Sequence, residues 1–154
     1  MGRLTLIPRR PTGRIVASGG LIAARYPLIG FGPELNPDPF FGNPGLWTLG
    51  DGWSIDQNVA KLSGVQADTS HLQISNLLEP FTLYRMLVTF SAISAGNMRQ
   101  AAGSQGLGEW QQVAIDELVE FLDPSAGVLH LRVSGDLNGI GDVTRLSCRR
   151  VLTP

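Results

Sequence analysis

The chain has 154 residues, enough for one domain with its own core and short for two. Apolar residues make up 43% and charged residues 16%, below the quarter or so usual for a soluble protein, so part of the surface is expected to be covered by other subunits. One cysteine and two histidines exclude an internal disulfide and a zinc site built from four Cys and His ligands.

The first 45 residues hold seven of the ten prolines, a density that forbids long helices and central strands. Short extended pieces are expected at residues 4–7 and 14–17. Residues 1–33 carry Arg3, Arg9, Arg10, Arg14 and Arg25 and no acid, a charge of +5 against −6 on the remainder. A basic, proline-rich leader on an acidic body predicts an extended N-terminal arm that grips another surface, with Leu4, Leu6 and Phe31 buried and the arginines paired to acids. Nucleic acid is not the expected partner, because the arginines are interleaved with Pro, Gly and aliphatics rather than clustered. Arg9-Arg10 before the uncharged residues 15–24 has the outline of a secretory or twin-arginine signal. Ser18, Gly19 and Gly20 break its apolar stretch, so no signal peptide is expected. No run of 18 apolar residues exists, and no membrane insertion is expected. Lys61 is the only lysine against eleven arginines, which suits interfaces and equally reflects arginine-rich codon usage.

From Trp47 onward the pattern has a period of two. Leu72 and Ile74 alternate with His71, Gln73 and Ser75. Tyr84, Met86, Val88 and Phe90 alternate with Arg85, Leu87, Thr89 and Ser91. Leu129, Leu131 and Val133 alternate with His130, Arg132 and Ser134. Thr144, Leu146 and Cys148 alternate with Arg145, Ser147 and Arg149. Each is a strand with one buried face. Shorter strands are expected at residues 53–55, 59–62 and 97–101, separated by turn signals such as Gly50-Asp51-Gly52, Asp56-Gln57-Asn58 and Asn138-Gly139. Residues 109–122 fit two patterns. Trp110, Val113, Ala114, Leu118 and Phe121 share a helical face, while β-branched content and the all-β context favour two strands with a kink near Asp116-Glu117. The fold class is all-β, an antiparallel β-sandwich, with residues 1–35 as the arm and 36–154 as the sandwich domain.

Three stretches carry a further likeness. They are Leu46-Trp47-Thr48-Leu49-Gly50-Asp51-Gly52-Trp53-Ser54-Ile55 with Val59-Ala60-Lys61-Leu62, Tyr84-Arg85-Met86-Leu87-Val88-Thr89-Phe90-Ser91 with Gly96, and Leu129-His130-Leu131-Arg132-Val133 with Gly141-Asp142-Val143-Thr144-Arg145-Leu146. Over about residues 36–152 the chain resembles jelly-roll domains related to carbohydrate-binding modules and galactose-binding-like domains, which recur in bacteriophage virion proteins. The first 35 residues have no counterpart there and look like anchoring arms. The resemblance implies a virion structural protein, a capsid decoration, head spike or tail-appendage subunit. It would be held to other virion subunits by its arm and be a homo-oligomer located in the virion. The alternative it implies is a carbohydrate-binding adhesion module for host-surface glycans.

A glycan needs exposed aromatic platforms, for which Trp110, Phe40 and Phe41 are the candidates; Trp47 and Trp53 are expected to pack in the sandwich. Jelly rolls of this kind also hold structural calcium, and Asp136, Asn138 and Asp142 set oxygens at alternating positions. Ile140 interrupts the EF-hand spacing and no Glu follows, which favours a polar turn. Gly103-Ser104-Gln105-Gly106-Leu107-Gly108 lacks a following lysine and reads as a hairpin tip, not a phosphate loop. Cys148 shares a face with Leu146 and is expected to be a buried small hydrophobe. No local Ser, His and acid motif suggests a nucleophile, and Asp116, Glu117 and Glu120 read as solvated surface, so no catalysis and no organic cofactor are expected.

Overall fold

The computed structural model describes residues 30–64, 66–103, 105–122 and 130–152. In chain order the strands are β1 (Gly30–Glu34), β2 (Thr48–Leu49), β3 (Trp53–Asp56), β4 (Val59–Leu62), β5 (Ser70–Ile74), β6 (Leu83–Ala95), β7 (Met98–Ala102), β8 (Gln105–Gly106), β9 (Ile115–Leu122), β10 (Leu131–Gly135) and β11 (Ile140–Leu152). They form two sheets. One runs β3-β4-β11-β6-β9, with β1 also on β11; the other runs β2-β5-β10-β7-β8. The pairings between successive neighbours are antiparallel. From β6 to β7 and from β9 through β10 to β11 the chain crosses between sheets, so the fold is an antiparallel β-sandwich. Gly32–Arg150 form its compact unit. No helix among the described residues is long and apolar enough to cross a membrane.

The alternation decides which side of each strand is buried. On β6, Tyr84, Met86, Val88 and Phe90 face inward and are 1% exposed or less. Opposite them stand Leu72 and Ile74 of β5, Met98 and Ala102 of β7, and Leu131 and Val133 of β10, all buried. Burying each large apolar side chain contributes roughly 1.5–3 kcal/mol. Gly135 of β10 lets Leu62 of β4 approach closely across the sandwich: a Cβ on Gly135 would stand 2.0 Å from Leu62 Cδ2. The β3–β4 turn has positive φ at both Gln57 and Asn58, the form that matches the strand twist of a two-residue hairpin.

The segment after β1 carries two buried polar residues, Asn36 and Asp38. The Asp38 carboxylate accepts hydrogen bonds from the backbone N–H of Gly42 (2.7 Å) and Asn43 (3.0 Å) and from Trp47 Nε1 (2.8 Å). Asn36 Nδ2 donates to the Leu146 carbonyl at 2.7 Å. Trp47 and Trp53 are buried, as expected of them. Cys148 is fully buried, and burial, helped by nearby Glu34, pushes its thiol up to about 12.

Two expectations are corrected. Residues 109–122 are neither a helix nor two kinked strands. β9 is one strand, paired residue by residue with β6 from Leu83–Leu122 to Phe90–Ile115, without a break at Asp116-Glu117. Trp110 and Val113 precede it in a loop that touches the other sheet through the Met98–Gln111 bridge. Thr144 is not on the buried face of β11. The pairing with β6 slips between Val143 and Arg145, a bulge that leaves Thr144 unpaired and shifts the inward set to Val143, Leu146 and Cys148. The strands expected at 4–7 and 14–17 lie outside the described residues.

Candidate functional site

The outer face of the five-stranded sheet gathers the polar residues that the alternation turns away from the core. One rung crosses all five strands: Thr48 on β2, Gln73 on β5, Arg132 on β10, Ala101 on β7 and Gly106 on β8. The neighbouring rung places His71, Ser134 and Arg99 side by side. Arg99 and Arg132 are therefore diagonal neighbours on adjacent strands, a relation that puts the two residues roughly 7–8 Å apart and their Cβ atoms somewhat closer.

Arg99 is held on two sides. Its guanidinium carbon lies 4.3 Å from the ring centroid of Trp110, a cation–π contact. On the other side it lies over the backbone of Gly106, where a Cβ would come 2.3 Å from the guanidinium carbon. Only glycine leaves that space. The loop that carries Trp110 is tied to β7 by reciprocal backbone hydrogen bonds between Met98 and Gln111, at 3.0 and 2.7 Å.

This face carries positive charge without an internal partner. Among the described residues, neither Arg99 nor Arg132 has an acid within ion-pair distance. The Nε of each is buried and lacks a hydrogen-bond acceptor. Burial, and then Arg99, holds the Arg132 pKa below its ordinary value; an arginine remains charged regardless. His71 is also held low, by burial first, then by Arg132 and Arg99, with Asp68 opposing. It is thus neutral at pH 7, with Nδ1 2.9 Å from the Ser134 hydroxyl. Ser134 is 2% exposed, so this Ser–His contact lies beneath the surface, out of reach of a substrate carbonyl.

Beside the rungs lies an open groove of about 360 Å³, lined by Thr48, Asp51, Asp68, Thr69, His71 and Gln73 among others. Its lining segments are tied together: Gly50 N–H donates to the His71 carbonyl at 2.8 Å, and the Ser70 hydroxyl donates to the Asp51 carbonyl at 2.6 Å. Each of those six side chains presents a hydroxyl, carboxylate, amide or imidazole.

The residues singled out from the sequence fall in different places. Trp110 stands on this face, half-buried over Arg99. Phe40 is 56% exposed, near Arg145 (5.5 Å to the ring centroid), which belongs to the other sheet. Phe41 is a core residue, 1% exposed and 4.9 Å from the Trp47 ring, so it offers no ring to a ligand. The Asp136 carboxylate serves its own turn, accepting from Asn138 N–H at 3.0 Å and from the Asn97 amide. Burial pushes its pKa up, but these hydrogen bonds outweigh burial and hold it below the ordinary value. The Asp142 carbonyl accepts from the Ser91 hydroxyl. Among the described residues no three His, Cys, Asp or Glu side chains converge in a metal-binding group, there or elsewhere. Phe31 lies in β1; Arg3, Leu4, Leu6, Arg9, Arg10, Arg14 and Arg25 lie outside the described residues. Sequence reading missed Arg99 and Arg132 as site residues. Arg132 was legible as outward-facing, but its neighbour is 33 positions earlier in the chain, and only strand register joins them.

No family model matches the chain, and no curated protein matches it. Among solved structures it is similar to a family 29 carbohydrate-binding module from Piromyces equi, at 10% identity and a TM-score of 0.39, over 78% of this chain and 85% of that one.

Proposed function

We propose that the protein is a non-catalytic binding module that takes a saccharide on the outer face of its five-stranded sheet. The observation that carries this reading is the open groove lined by Thr48, Asp51, Asp68 and Gln73, with Arg132 and Trp110 on the same outer face of the sheet. A sugar ring presents both apolar C–H faces and hydroxyls that donate and accept, which suits a groove whose exposed surface is mainly apolar and is ringed by hydroxyl, carboxylate, amide and imidazole groups. Half-buried Trp110 adds apolar contact beside the polar groups. The test is affinity electrophoresis of the full chain through gels containing neutral and acidic polysaccharides. Retardation by at least one, weakened about tenfold by Gln73→Ala with Thr48→Val, is the expected result. Free migration in every gel overturns the reading.

A second reading has its own support in the segregation of charge along the chain, +5 over residues 1–33 and −6 over the rest. In it the sandwich is displayed on a virion, joined to neighbouring subunits by the basic leader, and self-associates. The two readings are compatible, since a displayed module that binds host glycans serves adhesion. Deleting residues 1–29, which spares β1 and removes all five leader arginines, separates them: the deletion is expected to abolish attachment to particles and leave saccharide binding intact. Normal assembly of the truncated chain onto particles contradicts the second reading.

A further inference from the structure

We infer that the saccharide bound on this face is anionic, and that its carboxylate or sulfate group is taken between Arg99 and Arg132. The inference rests on the saccharide-binding reading and narrows its ligand class.

Two guanidiniums on diagonal positions of adjacent strands repel one another, and such an arrangement needs a counter-charge. Three arginines elsewhere find one within the chain, whereas Arg145, alone on the other sheet, has no acid partner among the described residues and an Nε without an acceptor. Arg85 pairs with Glu120, Arg150 with Glu79, and Arg149 with Glu34. Among the described residues Arg99 and Arg132 have none, and the buried Nε of each has no acceptor. Both residues are half-buried, so it is the guanidinium N–H groups other than Nε that are left for something outside the chain. Guanidinium suits an acid group well. It is planar, permanently charged and less strongly hydrated than ammonium, and its donors match the two oxygens of a carboxylate or sulfate.

Arg99 is also set in place before any ligand arrives. The Trp110 ring on one side and the Gly106 backbone on the other restrict its side chain, which lowers the entropy lost on binding. The carboxylates of Asp51 and Asp68 lie on the groove side of His71 and Gln73, which stand between them and Arg132 in the sheet. The surface is thus graded. Acceptors at the groove suit hydroxyls, and cations at the β10–β7 rungs suit an acid group one or more sugar units away. Adjacent acids would repel a polyanion lying flat over the whole face, so the favoured ligand carries its anionic groups at intervals along a hydroxylated chain.

The experiment compares galacturonic acid hexamer (carboxylate), heparin hexasaccharide (sulfate and carboxylate), cellohexaose and mannohexaose (neutral) by calorimetry on the full chain. At least one acidic probe is expected to bind at least tenfold more tightly than either neutral one. That affinity is also expected to fall as salt rises. The preference is expected to vanish in Arg132→Gln and in Arg99→Gln, with the thermal midpoint of each variant reporting that it is folded. Because a variant can misfold, the salt dependence on the unaltered chain stands as a separate readout. Neutral probes binding as tightly as acidic ones, or acidic binding unchanged in both variants, overturns the inference while leaving the saccharide reading standing. Failure of all four probes, with no retardation in any polysaccharide gel, overturns both. The two acidic probes separate carboxylate from sulfate recognition.

Discussion

The two outer faces of the sandwich are built from similar residues and solve the charge problem in opposite ways. On the six-stranded sheet, charges meet their partners across the β6–β9 ladder. Arg85 pairs with Glu120, the Thr89 hydroxyl donates to Asp116 at 2.6 Å, and Leu87 stands opposite Leu118. On the five-stranded sheet, Arg99 and Arg132 meet each other. On the first face the β6–β9 pairs are satisfied within the chain and a single arginine, Arg145, is left without an acid among the described residues; on the second, two unpaired arginines are adjacent. Cross-strand pairs of opposite charge contribute a few tenths to about 1 kcal/mol, and like charges cost a similar amount. Fold stability therefore does not account for the second arrangement. A surface that gives up this much stability in one place is where a ligand is to be sought.

The contrast between the faces is most easily broken by removing charge from each. Arg99→Gln together with Arg132→Gln should weaken binding of an acidic oligosaccharide by roughly 10²- to 10⁴-fold, from two charge-assisted bonds of roughly 1.5–3 kcal/mol each. Arg85→Gln should leave binding unchanged, and calorimetric titration of both variants checks the contrast. Next in size is Gly106→Val. Its side chain would occupy the space of the Arg99 guanidinium and should cost about tenfold in affinity, roughly 1.4 kcal/mol, with the thermal midpoint nearly unchanged. Stability should then split by face. Arg132→Gln should raise the folding stability by a few tenths of a kcal/mol, and Arg85→Gln should lower it by about 0.5 kcal/mol, read from urea midpoints at low salt.

The smallest expected effect is in pH dependence. Burial, Arg132 and Arg99 hold the folded-state pKa of His71 below its ordinary value of 6.5, while Asp68 opposes. The unfolded chain therefore takes the proton first as pH falls. Stability should decline as pH drops through about 6.5 and stop declining, for this group, below the folded pKa. His71→Asn should flatten that part of the profile, measured by urea midpoints from about pH 7.5 to about pH 5.5.

The buried layer was legible because strand alternation is local. Tyr84, Met86, Val88 and Phe90 show it within one short stretch of β6, and the same holds for Leu72 with Ile74 and Leu131 with Val133. It failed where a non-local feature intervened. The bulge that displaces Thr144 is set by β11's pairing with β6, more than fifty positions earlier. The loop carrying Trp110 has apolar residues at helical spacing, but they face different surroundings, and Val113 is exposed. The site was harder still. His71, Gln73, Arg132 and Ser134 each read as outward polar residues, and Trp110 as a candidate contact. What makes them a surface is the register that sets β5, β10 and β7 side by side, and no local pattern encodes it.

The most direct measurement is a backbone and arginine side-chain NMR titration of the isotopically labelled full chain with galacturonic acid and heparin hexasaccharides. An acid-binding five-stranded face predicts shifts concentrated at Gln73, Arg99, Trp110 and Arg132, with Arg85, Glu120 and Leu118 on the opposite face unmoved. Shifts centred on β6 and β9, or no shifts at millimolar concentrations of either acid, would contradict it.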